Sequence, residues 1–238
     1  MIRIENIGGK SLPNYVLFTP KGLIAIDTGF EWKRKAFMEG LRKTGETLQY
    51  LFLTHSHDDH VGFAKKVIDV TGASLIVHHA SIPALVRGGC EIAKHGAYTS
   101  KRVAVLGRIQ SVLNMPKAGF SPLTIKSSDI VIANETQQPF ADIGIRIVFL
   151  PGHVKDQMGI FIEDHRALFC GDAAMNTILN IGCYPIWMED LSASKNTWKK
   201  MIKLNPRIIY PAHGKPMVPK DLVKNIHRFD NRTLYKRS

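Results

Sequence analysis

Short apolar runs open the chain at Ile2–Ile7, Asn14–Phe18 and Leu23–Asp27, with Gly8-Gly9, Pro20 and Gly22 between them. That punctuation predicts hairpin-connected strands. Residues 31–43 are polar except at Trp32, Phe37 and Leu41, a spacing that predicts a helix. Tyr50–Leu53 is wholly apolar and predicts a buried strand, followed by a helix from about His60 to Asp69 and a strand at Ser74–His78.

The stretch 81–119 has a different rhythm. Two helical patterns, around Ile82–Lys94 and Lys101–Asn114, are broken by Gly88-Gly89 and Gly96. Val105, Leu106, Ile109, Val112 and Leu113 fall on one helical face. The reading is an all-helical insertion that could be a lid, a homodimer face or a core-covering pair. Strand patterns then return at Asp129–Ala133, Ile145–Leu150, Met158–Ile162 and Ala167–Cys170. A helix at about Ser192–Leu204, a strand at Arg207–Tyr210 and a basic helix follow. Strands then helix, twice over, predict an α/β fold made of a duplicated sheet-plus-helix layer. No linker-like or low-complexity segment divides it, so residues 1–238 read as one domain.

Composition narrows the class. Hydrophobic residues make up 45% and charged residues 22%, which excludes disordered and fibrous chains. No apolar run approaches the ~20 residues that span a bilayer. The first residues, MIRIENIGGK, lack the basic and apolar regions of a secretory signal. Three cysteines without CxxC spacing argue against a disulfide scaffold and for a reducing, cytoplasmic setting. The net charge of +12 is uneven, because residues 191–238 hold 12 basic groups against only Asp221 and Asp230. Such a segment can gather anions, including nucleic acid, but no stacking-aromatic motif accompanies it. A solvated helical face is the preferred explanation.

The chemistry concentrates in Thr54-His55-Ser56-His57-Asp58-Asp59-His60. Three imidazoles and their neighbouring carboxylates, directly after an apolar strand, suit a hydrophobic core badly because each would need a partner when buried. They suit a metal. Residues i and i+2 of an extended segment point the same way, so His55 and His57 can grip one ion. The chain then turns into a helix, and Asp59 and His60 can face a second. Neutral imidazole and carboxylate favour zinc, with iron or manganese also acceptable.

This segment resembles the Thr-His-x-His-x-Asp-His motif of the metallo-β-lactamase superfamily. Asp27 in Ile26-Asp27-Thr28-Gly29, His153 in Pro151-Gly152-His153, Asp172 after Gly171, and His213 in Pro211-Ala212-His213-Gly214 match its other signatures in order. The resemblance implies a four-layer αβ/βα sandwich. It implies His55, His57 and His153 on one ion, Asp59, His60 and His213 on the other, and Asp172 bridging. Asp27 would support the site by hydrogen bonds, or else cap the helix at 31–43. Of the remaining candidates, His78-His79 reads as a surface or capping pair and Cys170 as a small core residue.

Departures from the pattern narrow the activity. Asp172 stands where the best-known lactamase subclass uses Cys, and about two dozen residues follow His213, too few for the glutathione-binding helical domain of glyoxalase II. The resemblance therefore implies a dinuclear zinc hydrolase, using a metal-bridging hydroxide on a small ester, thioester or lactone, with Asp59 and Asp172 helping to move the proton. The competing readings are a metal-dependent phosphodiesterase or nuclease, a mononuclear iron oxygenase like the persulfide dioxygenases, and a non-catalytic binding protein. No membrane partner is expected.

Overall fold

The computed structural model describes residues 1–9, 13–90, 96–105, 119–177 and 182–236. They fall into two compact units, Met1–Glu91 with Ala118–Ile143, and Ile92–Lys117 with Gly144–Ser238.

The first unit is built on a six-stranded sheet. Its strands, in chain order, are β1 (Arg3–Asn6), β2 (Tyr15–Thr19), β3 (Gly22–Ile26), β4 (Leu48–Phe52), β5 (Ser74–His78) and β7 (Ile130–Ile132), hydrogen-bonded in that order across the sheet. The β1–β2–β3 meander is antiparallel, whereas β3, β4, β5 and β7 run parallel. Helices α1 (Arg34–Lys43), α3 (Ala64–Thr71) and α4 (Ile82–Arg87) supply the crossovers, with the short α2 (Asp58–Val61) before α3. Phe37 and Leu41 of α1, Val67 and Ile68 of α3, and Leu85 of α4 pack with Leu23, Ala25, Leu51, Leu75 and Val77 into one core. The alternate positions Leu17, Ile24, Phe52 and Ile76 are also buried. Burial on both faces explains why these strands read as unbroken apolar runs.

The second unit has two sheets. One runs β12 (Ile208–Pro211), β10 (Ala167–Gly171), β9 (Met158–Ile162), β8 (Ile145–Phe149), antiparallel except for the parallel β10–β12 pair. Helix α5 (Leu191–Lys203) and helix α6 (Pro219–Asn225) bury Trp198, Met201 and Leu222 among Val148, Leu150, Phe161 and Leu168. The other is a small antiparallel sheet in which β6 (Ala97–Tyr98) lies between β11 (Trp187–Met188) and β13 (Tyr235–Lys236).

The five-residue strands and long helices lie where the sequence pattern placed them. The insertion does not keep its expected all-helical character. Within 81–119, α4 and residues 101–105 are helical, but Ala97 and Tyr98 form a strand between them. Two-residue strands carry no periodicity of their own, and Gly96 lets the chain press against Trp187 where a Cβ would lie 2.2 Å from the indole. Residues 91–95 and 106–118, including Leu106, Ile109, Val112 and Leu113 of the expected apolar face, lie outside the described residues. Among the described residues, no helix is long and apolar enough to cross a membrane.

Candidate metal centre

Parallel strands carry their functional side chains at their carboxyl ends, where successive loops converge. In the first unit the register sets which ends meet. Ile26 pairs with Phe52, and the next residue along, Asp27, donates its N–H to the Phe52 carbonyl at 2.8 Å. Asp27 therefore stands beside Thr54, whose N–H and hydroxyl donate to its two carboxylate oxygens at 2.7 and 2.8 Å. His57 is extended (φ −71, ψ 152) and α2 begins at the next residue, two residues before the start the sequence predicts. This turn brings His60 back beside His55, with ring centroids 3.9 Å apart, and His57 lies 4.6 Å from His55. His55 and His60 are fully buried, and His57 and Asp59 are half-buried.

Hydrogen bonds fix the imidazole tautomers. His60 Nδ1 lies 2.8 Å from Asp27 Oδ2, which can only accept, so Nδ1 bears the proton and Nε2 the lone pair. Thr54 gives its one hydroxyl proton to Asp27, so its oxygen accepts from His55 Nδ1 at 3.1 Å. His55 thus also presents its lone pair at Nε2. The loop after Asp27 is fastened to α2, because Thr28 donates through both N–H and hydroxyl to the His60 carbonyl, at 2.8 and 2.9 Å. Asp27 is no helix cap, since Phe30 and Lys33 hold the cap positions before residues 31–43. Asp58, half-buried beside Asp59, has its carboxyl pushed up to about 6 by burial and then by that neighbouring charge.

The second unit uses the same device. Gly171 pairs with Pro211 in the parallel β10–β12 ladder, so Asp172 and His213 leave adjacent strand ends. Asp172 is buried and His213 half-buried. His153 sits in the β8–β9 connection, buried, with Nδ1 2.9 Å from the Trp187 carbonyl. A carbonyl cannot donate, so His153 also carries its proton on Nδ1. Asp172 reaches both histidines, with Oδ2 3.6 Å from His153 Nε2 and Oδ1 3.5 Å from His213 Nε2. Those separations are long for hydrogen bonds. They are close to the ~3.4 Å edge between two donors each about 2.1 Å from one tetrahedral ion. In the first unit, Asp59 Oδ1 and His60 Nε2 stand 3.9 Å apart.

His55, His60 and His153 thus present Nε2 lone pairs, and the histidines and aspartates of the motifs are of the kind that could hold metal ions. Sequence reasoning missed the two groups that orient them: Thr54, quoted in the motif without a role, and the Trp187 carbonyl, which is backbone and leaves no mark in the sequence. His78 is a cap, its Nδ1 accepting from the Ala80 N–H at 3.0 Å. Cys170 is a fully buried core residue.

The model of the metallo-beta-lactamase superfamily matches residues 8–213. The chain belongs to that superfamily. A hydroxyacylglutathione hydrolase from Francisella tularensis subsp. holarctica is 26% identical over 207 residues, covering 86% of this chain and 64% of that protein. A metallo-beta-lactamase fold-containing protein from Sulfurisphaera tokodaii is 27% identical over 193 residues, covering 76% of this chain and 66% of that one. The chain therefore spans just under two thirds of the hydrolase it matches. Among solved structures, the archaeal superfamily protein from Sulfolobus tokodaii aligns with a TM-score of 0.65 at 20% identity, over 95% of this chain and 85% of that one. TTHA1623, solved in a di-iron-bound form, aligns with a TM-score of 0.61 at 16% identity, over 93% of this chain and 97% of its own. The fold is the superfamily's α/β fold, as the sequence predicts.

Proposed function

We propose that the chain is a single-domain, dinuclear metal-dependent hydrolase of a small ester, thioester or lactone. In this reading His55, His57 and His153 hold one ion and Asp59, His60 and His213 the other, with Asp172 bridging. The observation that carries it is Asp172, buried, with its two oxygens 3.6 and 3.5 Å from the Nε2 atoms of two different histidines. Each of those histidines would belong to a different ion. The donor chemistry fits the group: imidazole lone pairs set on Nε2 by Asp27, Thr54 and the Trp187 carbonyl, together with carboxylates, match zinc, iron or manganese.

Two ions bound there would lower the pKa of a shared water toward neutrality and polarise the carbonyl under attack. The chain's own residues do the rest. Asp59 and Asp172 offset part of the cationic charge and offer oxygens that can take up the water's proton. Asp27 and Thr54 keep His60 and His55 from turning. A carbonyl substrate fits better than a nucleic acid, because part of the basic segment already serves the fold. Lys195 pairs with Asp230, Lys200 donates to the Phe149 carbonyl at 2.9 Å, and Arg232 lies over the Tyr184 ring. The curated relatives named as hydroxyacylglutathione hydrolases favour a thioester among the carbonyl candidates.

The test is elemental analysis of protein purified without chelator, followed by a panel of ester, lactone, thioester, lactam and phosphodiester substrates. About two ions per chain and carbonyl turnover are expected. A single tightly held iron would promote the oxygenase. Phosphodiester turnover far above carbonyl turnover, falling steeply with salt, would promote the nuclease.

A further inference from the structure

Residues 185–190 have two working edges. On one, the Trp187 carbonyl accepts from His153 Nδ1 at 2.9 Å, and the Glu189 and Asp190 N–H groups donate to the Gly152 carbonyl at 2.9 and 3.0 Å. On the other, β11 pairs with β6. The Thr99 N–H donates to the Ile186 carbonyl at 3.0 Å, which makes Trp187 and Tyr98 a non-hydrogen-bonded antiparallel pair. The N–H and carbonyl of Trp187 therefore point away from β6, and the carbonyl is directed at the histidine. Had the register slipped by one residue, that carbonyl would be spent on the ladder.

Residues 232–236 meet β6 on the side away from β11. Arg232 Nη2 donates to the Thr99 carbonyl at 3.0 Å while its guanidinium lies 3.7 Å above the buried Tyr184 ring. Tyr235 pairs with Tyr98 on the free edge of β6, opposite Trp187. Thr99 adds a hydroxyl bond to the Pro185 carbonyl at 2.6 Å, and the Tyr98 and Trp187 rings meet edge to face at 5.0 Å. A chain of contacts thus runs from Arg232 and Tyr235 through residues 97–99 to Trp187 and on to His153.

We infer that Arg232 and β13 are positioning elements for His153, holding β6 in the register that aims the Trp187 carbonyl at its Nδ1. The consequence for metal binding rests on the reading proposed above, in which His153 serves one ion of two. The consequence for the imidazole does not.

The experiment uses the 238-residue chain labelled with ¹⁵N, free of metal, in four forms: wild type, Arg232→Ala, Arg232→Lys and Tyr235→Pro. The proline removes a ladder donor at a sheet edge without touching Arg232. Two-bond ¹H–¹⁵N spectra, assigned with single His→Gln variants, report which ring nitrogen bears the proton. Wild type is expected to show Nδ1–H at both His153 and His60. Arg232→Ala and Tyr235→Pro should both convert His153 to a tautomer mixture and leave His60, held by Asp27, unchanged. On titration with zinc, both should bind one ion about ten- to a hundredfold more weakly and the other as in wild type. Arg232→Lys should restore the His153 signal in part. A His153 signal unchanged in both Arg232→Ala and Tyr235→Pro would overturn the inference, as would loss of the fold in both, which would make the segment a general stabiliser. If the His153 signal responds but wild type binds no metal, the positioning stands and the metal reading falls.

Discussion

Asp27 adopts a φ of +54, a left-handed conformation that costs a residue with a Cβ about 1–3 kcal/mol unless its surroundings enforce it. Here they do, because its carboxylate collects the Thr54 N–H, the Thr54 hydroxyl and His60 Nδ1. Asn tolerates the same backbone. Asp27→Asn should therefore fold normally, yet set an amide N–H against His60 Nδ1 and push the proton to Nε2. Metal affinity should fall about ten- to a hundredfold, read by competition with a chromophoric chelator. Asp172→Ala acts differently, since it removes the proposed bridge itself. The variant should keep its far-UV circular dichroism, fall below two ions per chain and lose more than about a hundredfold in turnover. Wild-type turnover with full metal content would remove Asp172 from the site.

At the scale of elements, the five-residue strands were legible because burial on both faces leaves an apolar run, as in Met158–Ile162, and the proposed ligands because four of them sit within one motif. The two-residue strands were not. Ala97–Tyr98, Trp187–Met188 and Tyr235–Lys236 owe their conformation to one another across 138 residues of chain, from Ala97 to Tyr235, and no local pattern records that. The Trp187 carbonyl was invisible for the same reason, since its identity as an acceptor depends on register. A close approach that the sequence also hides fixes α2. A Cβ on Gly62 would lie 2.3 Å from the Gly29 carbonyl oxygen, which belongs to the loop that Thr28 fastens to His60. Gly62→Ala should push that loop away, costing about 1–3 kcal/mol in urea unfolding and weakening metal binding together. Stability lost with metal affinity intact would separate the loop from the centre.

For the whole molecule, burial decides which thiols react. Cys170 is fully buried and its thiol is pushed far above the usual range by desolvation, while Cys90 and Cys183 are part-exposed. Burial also raises the Cys183 thiol. A disulfide reagent near neutral pH should label no more than two thiols in the folded chain and three after denaturation. Metal removal should also be felt globally. Ions bound only by the folded state at a hundred times their dissociation constant add ~2.7 kcal/mol each. Chelation should lower Tm by about 5–10 °C per ion, recovered on adding zinc back.

The two units are each discontinuous in the chain. The first needs residues 118–143 after a detour through 92–117, and β7 joins its sheet beside β5 only when Ile130 has been made, 52 residues after His78. A ribosome releases the chain from its amino end, so residues 92–117 emerge well before β8, α5 and β13, the other parts of the unit they belong to. For that interval the strand Ala97–Tyr98 has neither of its neighbours, and residues 1–143 must close their sheet around a segment committed elsewhere. Nascent chains halted after residue 143 should resist protease within β2–β5 and β7 while being cut between 96 and 105. Protection of Ala97–Tyr98 would arrive only with β11 and β13.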